Sequence, residues 1–270
     1  MTKLNYKLEG NKSGPTLVFI NGLFATKESW ENITRNLVKN YQVLTYDTRG
    51  QGKLSPALSE FDSFTDLANE LNELLNYLNI KEPVNLIGIS FGAKIALKFS
   101  SIFQSRVNSI FAANTYHEMT PFLKHKINSW RLANLKGGPL HRFEVALPWI
   151  WSEKTIESKP ELIEFYRKNA SVIDKEKANK LLTLVMQETV DLGKIECPVL
   201  ICAGKEDILT PVSYHYNMAK NIKCAHVVEV DAGHASLIEA PEEVVGYLGA
   251  FLNTVNGREN ASSKFLNREF

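Results

Sequence analysis

Gly88-Ile89-Ser90-Phe91-Gly92 sets a serine between two glycines. Val84 to Ile89 ahead of it is a short apolar run of strand type, and Phe91 to Phe99 behind it reads as a helix. A Gly-x-Ser-x-Gly turn between a strand and a helix is sharp. It holds the serine at strained backbone angles and lifts its hydroxyl over the end of the strand. The helix that begins there offers backbone N–H groups and a positive dipole end to a developing oxyanion. The chemistry on offer is attack by Ser90 on a carbonyl carbon. A hydroxyl needs a base for this, and the base needs a carboxylate to orient it. His234, in Gly233-His234-Ala235, and Asp207, in Gly204-Lys205-Glu206-Asp207, each follow an apolar run of strand type. Both therefore fall on loops at the carboxyl ends of strands, where open α/β sheets place their ligands. The chain has six histidines, and His234 is the one on such a loop in the order serine, aspartate, histidine. Of the neighbouring acids, Glu206 is expected to face away and Asp231 to hold its own loop. A second oxyanion donor is expected from Asn21-Gly22-Leu23-Phe24, the loop after Leu17–Ile20. The donors would be the Leu23 and Phe91 amides.

These residues need a frame. Leu17 to Ile20, Val43 to Tyr46, Val107 to Ala113, Pro198 to Ala203 and Ala225 to Val230 read as further strands, and Leu4 to Glu9 as a half-buried antiparallel edge. Trp30, Ile33, Leu37 and Val38 fall on one helical face. Phe64, Leu67, Ala68, Leu71, Leu74, Leu75 and Leu78 form an amphipathic stripe, with Ser63 and Asp66 placed to cap its start. Pro211 can start a helix, and Pro241 starts the last one. Alternating strands and helices imply a mostly parallel sheet with helices on both faces. The alternation stops from 115 to 194, a mixed helical stretch with turn signals at Gly137-Gly138-Pro139 and Pro160. The expected organisation is an α/β body from 1–114 and 195–256, a helical lid from 115–194 and a loose tail from 257–270.

The chain has 270 residues, 44% hydrophobic and 23% charged, with a net charge of +1. Such a balance gives no electrostatic case for nucleic acid or an anionic membrane. No apolar run spans a bilayer and the start lacks a signal-peptide pattern, so the expected location is cytoplasmic. Cys197, Cys202 and Cys224 are odd in number, at spacings that suit neither a disulfide framework nor zinc, and read as reduced thiols. No metal or cofactor is expected. Lys124-His125-Lys126 reads as a solvated face. Gly137-Gly138 lacks the context of a phosphate loop.

Over almost its whole length the sequence resembles the α/β-hydrolase superfamily. The resemblance rests on Asn21-Gly22-Leu23-Phe24, Tyr46-Asp47-Thr48-Arg49-Gly50-Gln51-Gly52, Gly88-Ile89-Ser90-Phe91-Gly92, Gly204-Lys205-Glu206-Asp207 with Pro211, and Gly233-His234 with Pro241-Glu242. Its flavour is similar to the 3-oxoadipate enol-lactonase and small-esterase branch. It implies the α/β-hydrolase fold with an inserted helical lid, and a serine hydrolase of a carboxylic ester, lactone or thioester. Most relatives have histidine where this chain has Asn21 and Gln51, and the N-terminal hairpin is cut to one strand. Asp47 and Arg49 read as a loop clamp. Phe24, Trp130, Phe143, Trp149 and Trp151 are the candidate substrate-binding residues. The lid aromatics, Phe165 and Tyr166 included, either line a pocket or form the lid's own core. An apolar small-molecule acyl substrate is expected, with a carrier-protein or CoA thioester left open. The rival readings are an acyltransferase to an alcohol or carrier-bound acceptor, and a triad-bearing ligand receptor.

Overall fold

The computed structural model of the chain describes residues 4–59 and 62–257. Its sheet orders the strands β1-β3-β2-β4-β5-β6-β7. These are β1 (Tyr6–Gly10), β2 (Thr16–Ile20), β3 (Gln42–Tyr46), β4 (Val84–Ile89), β5 (Val107–Ala113), β6 (Val199–Gly204) and β7 (Ala225–Val230). β1 runs antiparallel to β3, and all other neighbours are parallel. After β3 the chain crosses β2 and resumes on its other side as β4. That reversal makes the carboxyl ends of β2 and β4 the switch point of the sheet, where a crevice opens.

The apolar runs form strands because both faces of the sheet are covered. Alternate residues of a strand point to opposite faces. Val18, Ile20, Leu86, Ile110 and Ile201 join one core, while Leu17, Phe19, Ile87, Phe111 and Leu200 join the other. Burial of each such side chain contributes about 1.5–3 kcal/mol. The first core is closed by α2 (Phe64–Tyr77), α3 (Phe91–Ile102) and α8 (Val212–Ala219), the second by α1 (Glu31–Thr34) and α10 (Pro241–Val255). Ser63 Oγ accepts from the Asp66 amide at 3.2 Å, and the Asp66 carboxylate accepts from the Ser63 amide at 2.9 Å. This reciprocal cap fixes where α2 starts. One helix is shorter than its pattern suggests. α1 ends at Thr34, and Leu37 and Val38 follow in turns bonded back to the Thr34 carbonyl. Asn32, Thr34 and Asn36 are weak helix formers, and tertiary contact of Ile33 and Leu37 does not require a continuous helix.

Between β5 and β6 lie α4 (Pro121–Ile150), α5 (Glu153–Ser158), α6 (Pro160–Ser171) and α7 (Lys175–Leu184). α4 is two helical stretches meeting at Gly138, whose φ of +78° places the kink where the glycine-proline signal stands. The return from this insert is pinned to the body. Lys94 of α3, fully buried, donates to the Gln187 and Glu188 carbonyls at 2.9 and 2.7 Å, with the Phe64 and Tyr116 rings against its ammonium. Burial pushes Lys94 down to about 7 against the pull of Glu188. Of the tail expected over 257–270, Gly257 closes α10 with a bond to the Thr254 carbonyl, and 258–270 lie outside the described residues.

Candidate active site

Ser90 stands between β4 and α3 at φ 52° and ψ −114°, a region that L-residues avoid. The turn closes this tightly because its neighbours have no side chains. A Cβ on Gly92 would collide with the Ile20 and Asn21 carbonyls, and one on Gly88 with the Ala93 backbone. The Ser90 amide donates to the Ala113 carbonyl at 2.8 Å, and the Ser90 carbonyl accepts from Thr115 Oγ1 at 2.8 Å. Strain is thereby held by β5, the next strand of the sheet.

The carboxyl ends of β4, β5, β6 and β7 lie side by side, and each supplies a residue. Ser90 Oγ lies 2.8 Å from His234 Nε2, and His234 Nδ1 lies 2.8 Å from Asp207 Oδ2. His234 and Asp207 are buried, while Ser90 is half-buried. The Asp207 carboxylate accepts the Leu209 and Thr210 amides at 2.9 Å each and the Thr210 hydroxyl at 2.7 Å. Asn114, at the end of β5, donates to it at 2.9 Å and to the Gly233 carbonyl at 3.3 Å. Burial alone would raise the Asp207 carboxyl. The His234 charge and the bonds from His234, Asn114 and Thr210 outweigh it and hold Asp207 down at about 2. An imidazole so placed can take the serine proton as the oxygen attacks, and the carboxylate opposite stabilises the imidazolium.

Beside Ser90, at the end of β2, Gly22 to Ala25 form a tight turn closed by the Ala25 amide on the Gly22 carbonyl at 3.2 Å. Phe24 holds its third position at φ 65°. Its amide donates to Gln51 Oε1 at 2.5 Å, and Gln51 Nε2 donates to Thr48 at 2.9 Å. Asn21 is fully buried. It accepts from Trp30 Nε1 at 2.8 Å and donates to the Tyr46 carbonyl at 3.1 Å. Asn21 and Gln51 thus brace this turn. Among the described residues no acceptor takes the Leu23 or Phe91 amide proton. Leu23 lies in the turn after β2, the strand next to that of Ser90, and Phe91 follows Ser90 in the chain.

A profile of the alpha/beta hydrolase fold matches residues 15–241. The chain belongs to the α/β-hydrolase family. It is 26% identical to 3-oxoadipate enol-lactonase 1 of Acinetobacter baylyi, over 93% of this chain and 94% of that protein. It is 25% identical to mouse monoacylglycerol lipase ABHD6, over 91% of this chain and 78% of that protein. The enol-lactonase of Burkholderia xenovorans superposes with a TM-score of 0.84 at 22% identity, covering 93% of this chain and 96% of that one, a likeness of fold. Names in this set support esterase- and lactonase-type chemistry for the α/β hydrolase.

The remaining candidates are scattered. Phe24 lies in the turn just described. Trp130 is buried in the core that closes over α2 and α3, its Nε1 enclosed without a partner. Phe143 and Trp151 sit in a smaller apolar cluster with Ile163, Ala170 and Ala235, the residue after His234, and the Trp151 ring packs tilted against that of Tyr166, centroids 5.0 Å apart. Trp149 is half-buried with the Lys126 ammonium 4.9 Å from its ring. Glu206 is exposed, and Asp231 pairs with Lys205 at 2.5 Å. Asp47 accepts from Asn5 and from the Lys27 amide, and Arg49 pairs with Glu70, so both clamp loops.

Lys126 corrects the solvated-face reading. Lys124 and His125 are exposed, but Lys126 is buried and donates to the Ile208 and Leu209 carbonyls beside Asp207. One or two residues along α4, about half a turn, separate a wet side chain from one that ties the insert to the acid's loop. The sequence reading also passed over Asn114, Thr210 and Glu239. Glu239, in the short helix α9 (Ser236–Glu239), accepts the Gly233 amide at 3.1 Å, the Ser152 amide at 3.0 Å and the Ser152 hydroxyl at 2.5 Å. The Ala235 amide adds a hydrogen bond to the Ile150 carbonyl at 3.1 Å. Only Asn114 left a usable signal: it is the first residue past an apolar strand adjacent to the Ser90 strand.

Proposed function

We propose that this α/β hydrolase cleaves a carboxylic ester, lactone or thioester through an acyl-enzyme on Ser90. The observation that carries the reading is the continuous contact from Asp207 through His234 to Ser90 Oγ. His234 takes the Ser90 proton as Oγ bonds to the carbonyl carbon, and Asp207 fixes the imidazole tautomer and balances its charge. The Leu23 and Phe91 amides hold the oxyanion. The tetrahedral species collapses, and His234 returns the proton to the departing oxygen or sulfur. Water, deprotonated by His234, then frees the acid. Residues 115–194 act as the lid that shapes the substrate's path.

Intact mass spectrometry after exposure to a fluorophosphonate tests this. One adduct is expected on the wild type and none on Ser90→Ala. His234→Ala should lower kcat by several orders of magnitude, because residues of such a unit fail together. Equal labelling of the wild type and Ser90→Ala would refute the assignment.

A further inference from the structure

The Leu209 and Thr210 amides both donate to Asp207 Oδ1, at 2.9 Å each. The other carboxylate oxygen, Oδ2, faces His234 Nδ1 at 2.8 Å, and also takes the Asn114 amide and the Thr210 hydroxyl. Each backbone amide shares a rigid plane with the carbonyl of the residue before it. The Leu209 amide is joined to the Ile208 carbonyl, and the Thr210 amide to the Leu209 carbonyl. Those are the two carbonyls that take the Lys126 ammonium, the second at 3.4 Å. One lysine of the insert thus holds the oxygen ends of both peptide groups whose N–H ends hold the acid.

Lys126 is 5% exposed and lies against two aromatic faces, with the Phe122 ring centroid 4.3 Å and that of Trp149 4.9 Å from Nζ. Among the described residues no carboxylate pairs with it directly. Burial lowers its pKa and the Asp207 charge pulls it back up, so the two groups act on each other across the peptides. A tether needs only a donor, and a neutral amide would serve. An enclosed ammonium costs desolvation, and what its charge adds is polarisation. A cation on a peptide oxygen draws electron density along the plane and makes the N–H a stronger donor. Both strengthened donors fall on Oδ1, the oxygen that does not bond His234.

We propose that Lys126 is a positioning residue of the triad: through two peptide groups it draws the Asp207 charge away from His234 and so favours the base in its proton-free form. What that base is for rests on the serine-hydrolase reading above; the charge path does not. From the other elements packed here come His215 on α8, which burial holds down at about 4 and so uncharged at neutral pH, and Glu239 on α9, bonded to the Gly233 amide. Both are present in every variant compared below.

The test titrates the His234 ring by proton NMR in wild type, Lys126→Met, Lys126→Gln and Lys126→Arg, the resonance being assigned by its loss in His234→Gln. The rate at which a fluorophosphonate labels Ser90 is followed over the same pH range. Methionine removes charge and donor, glutamine keeps a donor without the charge, and arginine keeps the charge. In the methionine and glutamine variants the midpoint should rise by about 0.3–1 unit, and labelling well below it should slow by about 2- to 10-fold. The arginine variant should keep the wild-type midpoint. A plain tether would lower stability and leave every midpoint in place. That outcome, or an arginine variant shifted as far as methionine, overturns the role of Lys126. If the methionine variant does not fold, glutamine decides alone. A shifted resonance with Ser90 never labelled means that the hydrolase reading is what fails. Labelling with an unmoved resonance faults the charge path alone.

Discussion

Asp207 stays ionised in a dry place because donors on three loops surround it: its own, that of His234 and, from the end of β5, that of Asn114. The Asn114 amide also steadies the Gly233 carbonyl, just before His234. It acts through the acid and the base and touches no reacting atom, so it is a positioning residue. Asn114→Ala should lower kcat about 10- to 100-fold, on the scale of one hydrogen bond to a buried charge, with KM little changed. Steady-state kinetics on a nitrophenyl ester reads this, and a rise in KM at constant kcat would contradict it. Ser90, Asp207 and His234 were legible because each follows an apolar strand and the chemistry demands their types. Asn114 and Lys126 were not. Their partners lie far off in sequence, and a lysine in a helical insert carries no local mark of burial.

At the scale of elements, the strands could be read because both-face burial leaves unbroken apolar runs, and α2 because stripe and cap agree. The insert was harder. Its helices bury residues against the body, against one another and around the site, so no single face stands out. The two tryptophans of the Pro148-Trp149-Ile150-Trp151 run show the difference. Trp151 is 6% exposed among Phe143, Ile163 and Ala235, whereas Trp149 is half-buried beside Lys126 and the acid's loop. Trp151→Ala should cost stability, about 3–5 kcal/mol, through the cavity it leaves. Trp149→Ala should instead change the preference among acyl lengths, by about 1–3 kcal/mol for a group whose contact is lost. Urea unfolding and a kcat/KM series separate the two. If Trp149→Ala loses stability and keeps the wild-type profile, it too belongs to the insert's core.

At the scale of the molecule, His215 couples stability to pH. It sits on α8 with no exposed surface, and its Nε2 accepts the Thr115 amide at 3.0 Å. An imidazolium would turn an N–H toward that donor. Burial lowers His215 from 6.5 to about 4. The unfolded chain therefore binds the proton first as pH falls, so stability is full above about 6.5 and is lost toward 4. The loss is on the order of 3 kcal/mol. His215→Gln, which keeps an acceptor, should flatten the urea-unfolding free energy across that window, and an unchanged slope would rule His215 out as the source. A second consequence concerns the base. Glu239 fastens the loop of His234 to Ser152, at the junction of α4 and α5, while Ala235 reaches back to Ile150. The loop of the base is thus shared between sheet and insert, so a change that loosens the insert at Ser152 should register in activity before it registers in the sheet.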